Sequence, residues 1–419
     1  MAGARQFDRR AFLRRAALLT LALPPAGAAL AACARGTPSS VPSSDGVLPL
    51  REDLLLASDL PIERDATLRV FQWKDYLSKG VLAAFERAHA DVGLRVEVES
   101  FLHIDEAVAR LQDPAADFDI VFPVIDVVPD MVRAGMLRPL NHDYLPNLRN
   151  LWGYFRGAGP FYDPGQRYTV PYTVFTSGIG WRADMVVAAD APDRRDDPFA
   201  VFTDQRYRGL VGFLDAYRDA LALGLQQAGV RDLSAATDAE LAEAADFLAR
   251  AVETTDARFT IDGAEDGLAE RTFAVHQSWS GDVLTAPRYA AMEGEDPVAT
   301  AAALRYWTPT SGARVVGLDL TAICAVGRNP VAAHAFVNHL LALDVALDNF
   351  AWNGYQVPMT EVTRETFADP SFPWHASVPA NLRSAVVSEA EFAGGQMLVG
   401  FGPSQDARWL AQWSRVVPS

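Results

Sequence analysis

An α/β protein built from more than one unit, each a sheet covered by helices, is what the sequence predicts, and three observations carry that prediction. The 419 residues, 50% of them hydrophobic, suffice for two or three domains with full cores at ~150 residues per domain. Strand-like apolar runs alternate with segments of helical period, which is the pattern of a parallel sheet with crossover helices. The alternation begins afresh near Gly178, so a second unit of the same kind follows the first.

In the first unit, Thr67 to Trp73 is an apolar, aromatic run fit for a strand. Gly80 to Ala90 carries Val81, Leu82, Phe85 and Ala88 at helical spacing and closes at Gly93. Leu94 to Glu99 alternates strictly, marking a strand with a wet face or at a sheet edge. Asp105 to Leu111 reads as a short helix, Phe118 to Phe122 as a buried strand, and Pro129 to Ala134 as a helix ending at Gly135. In the second unit, Leu210 to Leu214 is a strand and Ala216 to Ala228 a helix closed by Gly229. Thr237-Asp238-Ala239-Glu240 is a capping box opening a helix to about Val252. Phe273 to Trp279 and Leu318 to Val326 return as strands. Asn329-Pro330 then supplies an N-cap and a first-turn proline for a helix through Leu343.

Residues 1–33 read as an export signal rather than as structure. Five arginines, Arg5, Arg9, Arg10, Arg14 and Arg15, precede an apolar stretch from Ala16 to Ala29 that is too short to span a membrane and is broken by Pro24-Pro25. Arg9-Arg10-Ala11-Phe12-Leu13 resembles the twin-arginine motif, and Leu30-Ala31-Ala32-Cys33 resembles a bacterial lipobox in which Cys33 is the lipid attachment site. An ordinary secretory signal cut after the same small residues is the alternative. Residues 34–65 are expected to tether a membrane-anchored lipoprotein, periplasmic or on the cell surface, the Ser/Pro/Gly run Gly36 to Asp45 being unable to bury a core. Cys324, left without a partner, is expected to be a buried small hydrophobe.

The charge narrows the partners. Thirty-seven basic against 53 acidic side chains give −16, and loss of residues 1–32 takes this to −20, so nucleic acid is not expected as a partner and cations are the natural ligands. No G-x-S-x-G, P-loop, H-E-x-x-H or C-x-x-C occurs, and His334 and His339 sit five apart on different faces of a helix. An enzyme, a cofactor and a metal site are therefore not expected, although a pair of acids could still form a hydrolase site.

Aromatic residues recur beside acids at the ends of predicted strands: Trp73 with Asp75 and Tyr76, Trp279 with Asp282, Asp319 within an apolar strand, and Tyr355 after Trp352-Asn353-Gly354. Ligands of open α/β sheets bind at the carboxyl ends of strands, so these positions can converge on one cleft. An organic ammonium ion needs carboxylates for charge-assisted hydrogen bonds and an aromatic face for cation–π attraction.

From Thr67 to the carboxyl terminus the chain resembles the periplasmic spermidine- and putrescine-binding proteins of bacterial ABC importers. The matching residues are Phe71 to Tyr76, Phe118 to Pro123, Pro171-Tyr172-Thr173, Gly178-Ile179-Gly180, Phe213 to Ala216, Trp279-Ser280-Gly281-Asp282, Leu318-Asp319 and Gly354 to Pro358. The resemblance implies a two-lobed periplasmic binding protein of type 2-like fold, each lobe a mixed sheet covered by helices, joined by crossing hinge strands. It implies one lobe from 66–177 plus 318–362 and another from 178–317 plus 363–419. Carried over position by position, Trp73 and Tyr76 resemble the first aromatic wall, Asp75 the acid between them, and Trp279 with Asp282 the W-x-G-D of putrescine binders. Asp319 resembles the main ammonium-binding acid, Asp219 an acid one turn beyond Phe213 to Ala216, and Tyr355 the late aromatic residue. Gln396 resembles, loosely, a glutamine of the carboxyl-terminal segment.

Three departures stand out. Val124-Ile125-Asp126 replaces a serine followed by small or aromatic residues and adds Asp126 as a further candidate acid; Gly317 replaces an aromatic residue two before Asp319; and Ala216 replaces an acid. The expected function is capture of a polyamine or related organic cation by a monomer that delivers it to an ABC permease in the membrane. Another solute on the same fold, such as a different amine or a sugar, is the alternative, with a lipoprotein hydrolase behind it.

Overall fold

The structure is a computed structural model that describes residues 48–156, 162–261, 263–310 and 312–417. The export signal, Cys33 and the first part of the expected tether lie outside these residues. Among the described residues, which fall in one compact unit, nine strands form one sheet. They are β1 (Thr67–Trp73), β2 (Arg95–Phe101), β3 (Ile120–Val121), β4 (Thr169–Arg182), β5 (Val211–Leu214), β6 (Arg258–Thr260), β7 (Val275–Trp279), β8 (Leu304–Trp307) and β9 (Val315–Ile323). Their order is β2-β1-β3-β9-β4-β7-β5-β6, with β8 also paired to β4.

β1 pairs with β2 and β3 in parallel, as strand–helix alternation requires, and β5 does so with β6 and β7. β9 runs antiparallel to β3 and β4, which makes the sheet mixed. The first part of β4 pairs with β9, from Thr169↔Ala322 to Ser177↔Val315, and its second part with β7 and β8. One long strand thus passes from one half of the sheet to the other.

The pleat explains why β1 reads as apolar throughout. Leu68 and Val70 face a core with Val81 and Phe85 of α1 (Lys79–Ala88), and with Phe336 and Phe350 from farther along the chain. Phe71 points the opposite way, into a core with Phe101, Leu318, Leu320 and the Ala107 and Leu111 of α2 (Ile104–Leu111). A third core joins Phe213 to Leu221 of α3 (Tyr217–Gln227) and Leu248 of α4 (Asp238–Thr255). A smaller one lies under α5 (Ser280–Met292), with Val283, Ala286, Leu304 and Tyr306.

The capping box at Thr237 and Glu240 forms as its sequence predicts. The helix after Asn329 differs from expectation twice. α6 (Pro330–Leu340) stops short, and α7 (Leu343–Asn353) continues at 75°, a break that no glycine or proline announces. Asn329 stands at the N-cap position, yet its amide donates to Thr67 O and Asp119 Oδ2 instead. The free N–H groups of Val331 and Ala332 are capped by the Glu63 carboxylate at 3.0 and 2.8 Å.

Other boundaries move for stated reasons. Only Ile120 and Val121 of the expected Phe118 to Phe122 strand find ladder partners. β9 begins at Val315 because Val315 and Val316 still pair with β4. Residues 48–65, given by composition to the tether, pack as a strap: Leu48 is buried, Arg138 donates to Leu54 O at 2.8 Å, and Glu63 caps α6. The carboxyl-terminal residues divide between cores. Phe367, Val378 and Val386 join the first, whereas Leu398, Phe401 and Trp409 of the segment ending in α8 (Pro403–Val416) join the third. Cys324 is buried and unpaired.

Candidate functional site

A cleft of about 340 Å³ opens where the carboxyl end of β1, the middle of β4 and β9, and the start of α5 converge. Trp73, Asp75, Tyr76, Trp279, Asp282, Asp319 and Tyr355 all line it. That volume lies at the small end of the usual range for ligand sites, ~300 to 1,000 Å³.

The loop after β1 is fixed from behind. The Tyr76 carbonyl accepts from the Asn349 and Asn353 amides of α7, each at 3.0 Å, and from the Tyr172 hydroxyl at 3.0 Å. Ser78 then caps α1 by accepting from Val81 N at 3.1 Å. Just before Tyr76, Asp75 takes φ +58°, the left-handed region that aspartate tolerates better than most residues. Trp73 is held by its indole N–H on Phe122 O at 3.1 Å.

Two buried carboxylates dominate the interior. Asp319, 9% exposed, accepts from the Tyr76 hydroxyl and, at 3.4 Å, from the Thr173 hydroxyl. Burial raises its carboxyl to about 6, with these hydroxyls holding it down. Asp282, 4% exposed, sits in the first turn of α5. Its Oδ1 accepts from the Tyr355 hydroxyl, whereas its buried Oδ2 has no partner. Burial raises this carboxyl too, and the nearby charges of Asp219 and Asp266 add to the effect. A buried carboxyl served only by neutral donors has no counter-charge of its own, so a cation bound there favours its ionised form.

Tyr355 reaches Asp282 because two glycines let its loop in. A Cβ on Gly281 would fall 2.5 Å from the Tyr355 ring, and one on Gly354, at φ +73°, would fall 2.3 Å from Gly281 O.

Two expected acids stand elsewhere. Asp126 does not line the cleft: it forms an ion pair with Arg218 and accepts from Gly400 N at 3.0 Å, so its charge is already neutralised. Asp219 lies behind the cleft wall, accepting from the Ser177 hydroxyl and from the Trp279 indole at 3.2 Å, where it orients the tryptophan. Gln396 also lies away, bridging Leu233 N at 2.9 Å and Arg231 O.

The cleft holds residues that sequence reasoning passed over, chiefly Phe175, Glu265, Arg288 and Tyr289. The Tyr289 hydroxyl donates to Asp75 Oδ2 at 3.2 Å. Burial raises the Glu265 carboxyl, and the charge of Asp282 raises it further. Arg288 lies over the Tyr289 and Trp352 rings at 4.4 and 4.3 Å and forms no ion pair among the described residues. Reading 280–292 as a helix would have placed Asp282, Thr285 and Tyr289 on one face at i, i+3 and i+7.

Comparison with known proteins fits this arrangement. Residues 80–376 match the bacterial extracellular solute-binding protein family. The putrescine-binding periplasmic protein PotF of Escherichia coli (strain K12) is 27% identical over 284 residues, covering 67% of this chain and 74% of that one. A putrescine/agmatine-binding protein of Pseudomonas aeruginosa is 24% identical over 304 residues, covering 71% and 80%. Among solved structures, the spermidine/putrescine ABC transporter substrate-binding protein PotD from Streptococcus pneumoniae superposes with a TM-score of 0.64 at 20% identity, covering 84% of this chain and 98% of that one. The fold is therefore that of the two-lobed periplasmic binding proteins. The chain belongs to the bacterial extracellular solute-binding protein family, whose members bind solutes rather than catalyse reactions.

Proposed function

We propose that this protein captures a small polyamine, or a related organic cation, outside the cytoplasm and delivers it to an ABC permease. The observation that carries this reading is the buried, unpartnered Oδ2 of Asp282 in a cleft it shares with Asp319 and the rings of Trp73, Tyr76, Trp279 and Tyr355. One ammonium end sits between Asp282 and Asp319, the methylene chain runs along the rings, and the other end meets Asp75 and Glu265. The relatives named for putrescine, agmatine and spermidine support the same ligand class.

Capture works by closure of two lobes, 66–177 plus 318–362 and 178–317, about the long strands β4 and β9, with the carboxyl-terminal residues divided between them. The arginine pair Arg9-Arg10 and Cys33 support twin-arginine export and a lipid anchor. Arg288 and Lys74 favour a second reading, in which the outer end of the ligand is a carboxylate.

A thermal-shift screen of residues 46–419 tests both, using putrescine, cadaverine, spermidine, agmatine, ω-amino acids and sugars. A ligand at 100 times its Kd stabilises by ~2.7 kcal/mol, well within detection. A rise with diamines or triamines supports the first reading, and a rise with ω-amino acids alone supports the second. Response to a sugar and to no amine would sink both.

A further inference from the structure

We propose that Phe175 is a specificity-determining wall of this cleft, filling from β4 the space that a side chain at position 317 of β9 would otherwise occupy. The inference rests on the reading of the cleft as an amine site.

Phe175 and Gly317 are direct partners in the antiparallel ladder of β4 and β9. Directly opposed residues project on the same face with Cβ atoms ~5 Å apart, so a large ring on one can cover the other. Here it does. A Cβ on Gly317 would fall 2.2 Å from both Cε2 and Cζ of Phe175. The glycine is required by the ring, and the absence of a side chain at 317 does not leave a hole.

Exposure shows where the ring faces. Of the fourteen residues of β4, Phe175 is the one that is not buried, and it lines the cleft. A large apolar ring left accessible on an otherwise buried strand is accessible to whatever the cleft holds.

Its neighbours complete an aromatic box. The Phe175 ring lies 5.9 Å from Trp279 at 62° and 5.7 Å from Tyr355 at 86°, both edge-to-face. Tyr355 in turn holds Asp282. The ring therefore faces the ammonium end, and the first methylenes, of an amine bound at Asp282, and it sets the width available there.

Isothermal titration with putrescine and spermidine tests this on the wild type, Phe175→Leu, Phe175→Ala and the exchange Phe175→Ala/Gly317→Phe. Leucine keeps apolar bulk and removes the π face, so Phe175→Leu is expected to weaken putrescine about fivefold or more, the size of a partly desolvated cation–π contact. Its melting temperature without ligand should match the wild type, which separates binding from folding. The exchange variant is expected to bind tighter than Phe175→Ala, because the ring returns from the adjacent strand. Putrescine affinity of Phe175→Leu within about twofold of wild type, or an exchange variant no better than Phe175→Ala, overturns the proposal. Should the wild type bind neither amine, the amine reading itself fails and takes this inference with it.

Discussion

Asp319 and Asp282 on one side, and Asp126 and Asp219 on the other, read in sequence as one set of candidate ammonium-binding acids. The structure treats them differently. Asp319 and Asp282 receive hydroxyl donors, from Tyr76, Thr173 and Tyr355, and both face the cleft. Asp126 faces the guanidinium of Arg218, and Asp219 is occupied by Ser177 and Trp279 behind the wall. Neutral donors orient a carboxylate and leave its charge to be satisfied, whereas an arginine offsets that charge. What makes an acid a ligand group is thus its partner together with its access to the cleft: Asp126 is already paired, and Asp219, though served only by neutral donors, lies behind the wall.

That difference ranks the expected effects. Asp319→Ala and Asp282→Asn should each weaken amine binding by about 2 kcal/mol or more, roughly 30-fold, because a buried ammonium ion loses its counter-charge. Titration calorimetry reads this directly, and less than a twofold change would remove that residue from the ammonium site.

The pH dependence comes next. Burial lifts the Asp319 carboxyl to about 6, above the ordinary carboxylate value of ~3.9 in an unfolded chain. The ligand-free fold therefore binds that proton more tightly than the unfolded chain does. Its stabilising contribution is complete below the unfolded value and is lost as pH rises through about 6. Amine binding has the opposite sign, since it requires the ionised carboxylate. The melting temperature of ligand-free protein should fall between about pH 5 and about pH 8 relative to Asp319→Asn, while the putrescine-induced rise grows. An induced rise equal at both pH values would contradict the assignment.

Weaker effects belong to the outer end. Glu265→Gln and Asp75→Asn should each cost about 1 kcal/mol, near fivefold, since Lys74 and Arg288 share that end and offset part of its charge. Spermidine, longer than putrescine, should feel these changes more. Equal losses for the two amines would place the second ammonium group elsewhere. Asp126→Asn stands last, with amine affinity changed less than about threefold, because its partner is Arg218 and not the ligand. A loss as large as that of Asp282→Asn would erase the distinction between the two pairs.

Much of the fold was legible because its signals are local. An apolar, aromatic run marks β1, period-two alternation marks β2, and the Thr237 box marks α4. The α6–α7 break was not legible, since Leu341 and Ala342 carry no breaker and the turn is set by packing. In the site, the tryptophans and tyrosines beside acids were readable as neighbours in sequence. The fate of Asp126 was not, because Arg218 lies 92 residues away in the chain. Phe175 escaped for the same reason: its meaning lies in Gly317, its partner across the ladder.

β4 and β9 carry the pairing of both halves of one nine-stranded sheet, and hydrophobic cores hang on each half. Neither core can melt without tearing ladder bonds that the other relies on. The two lobes are thereby expected to lose structure together, unlike domains strung on a linker. Sheet continuous through β4 and β9 denies either half a separate existence.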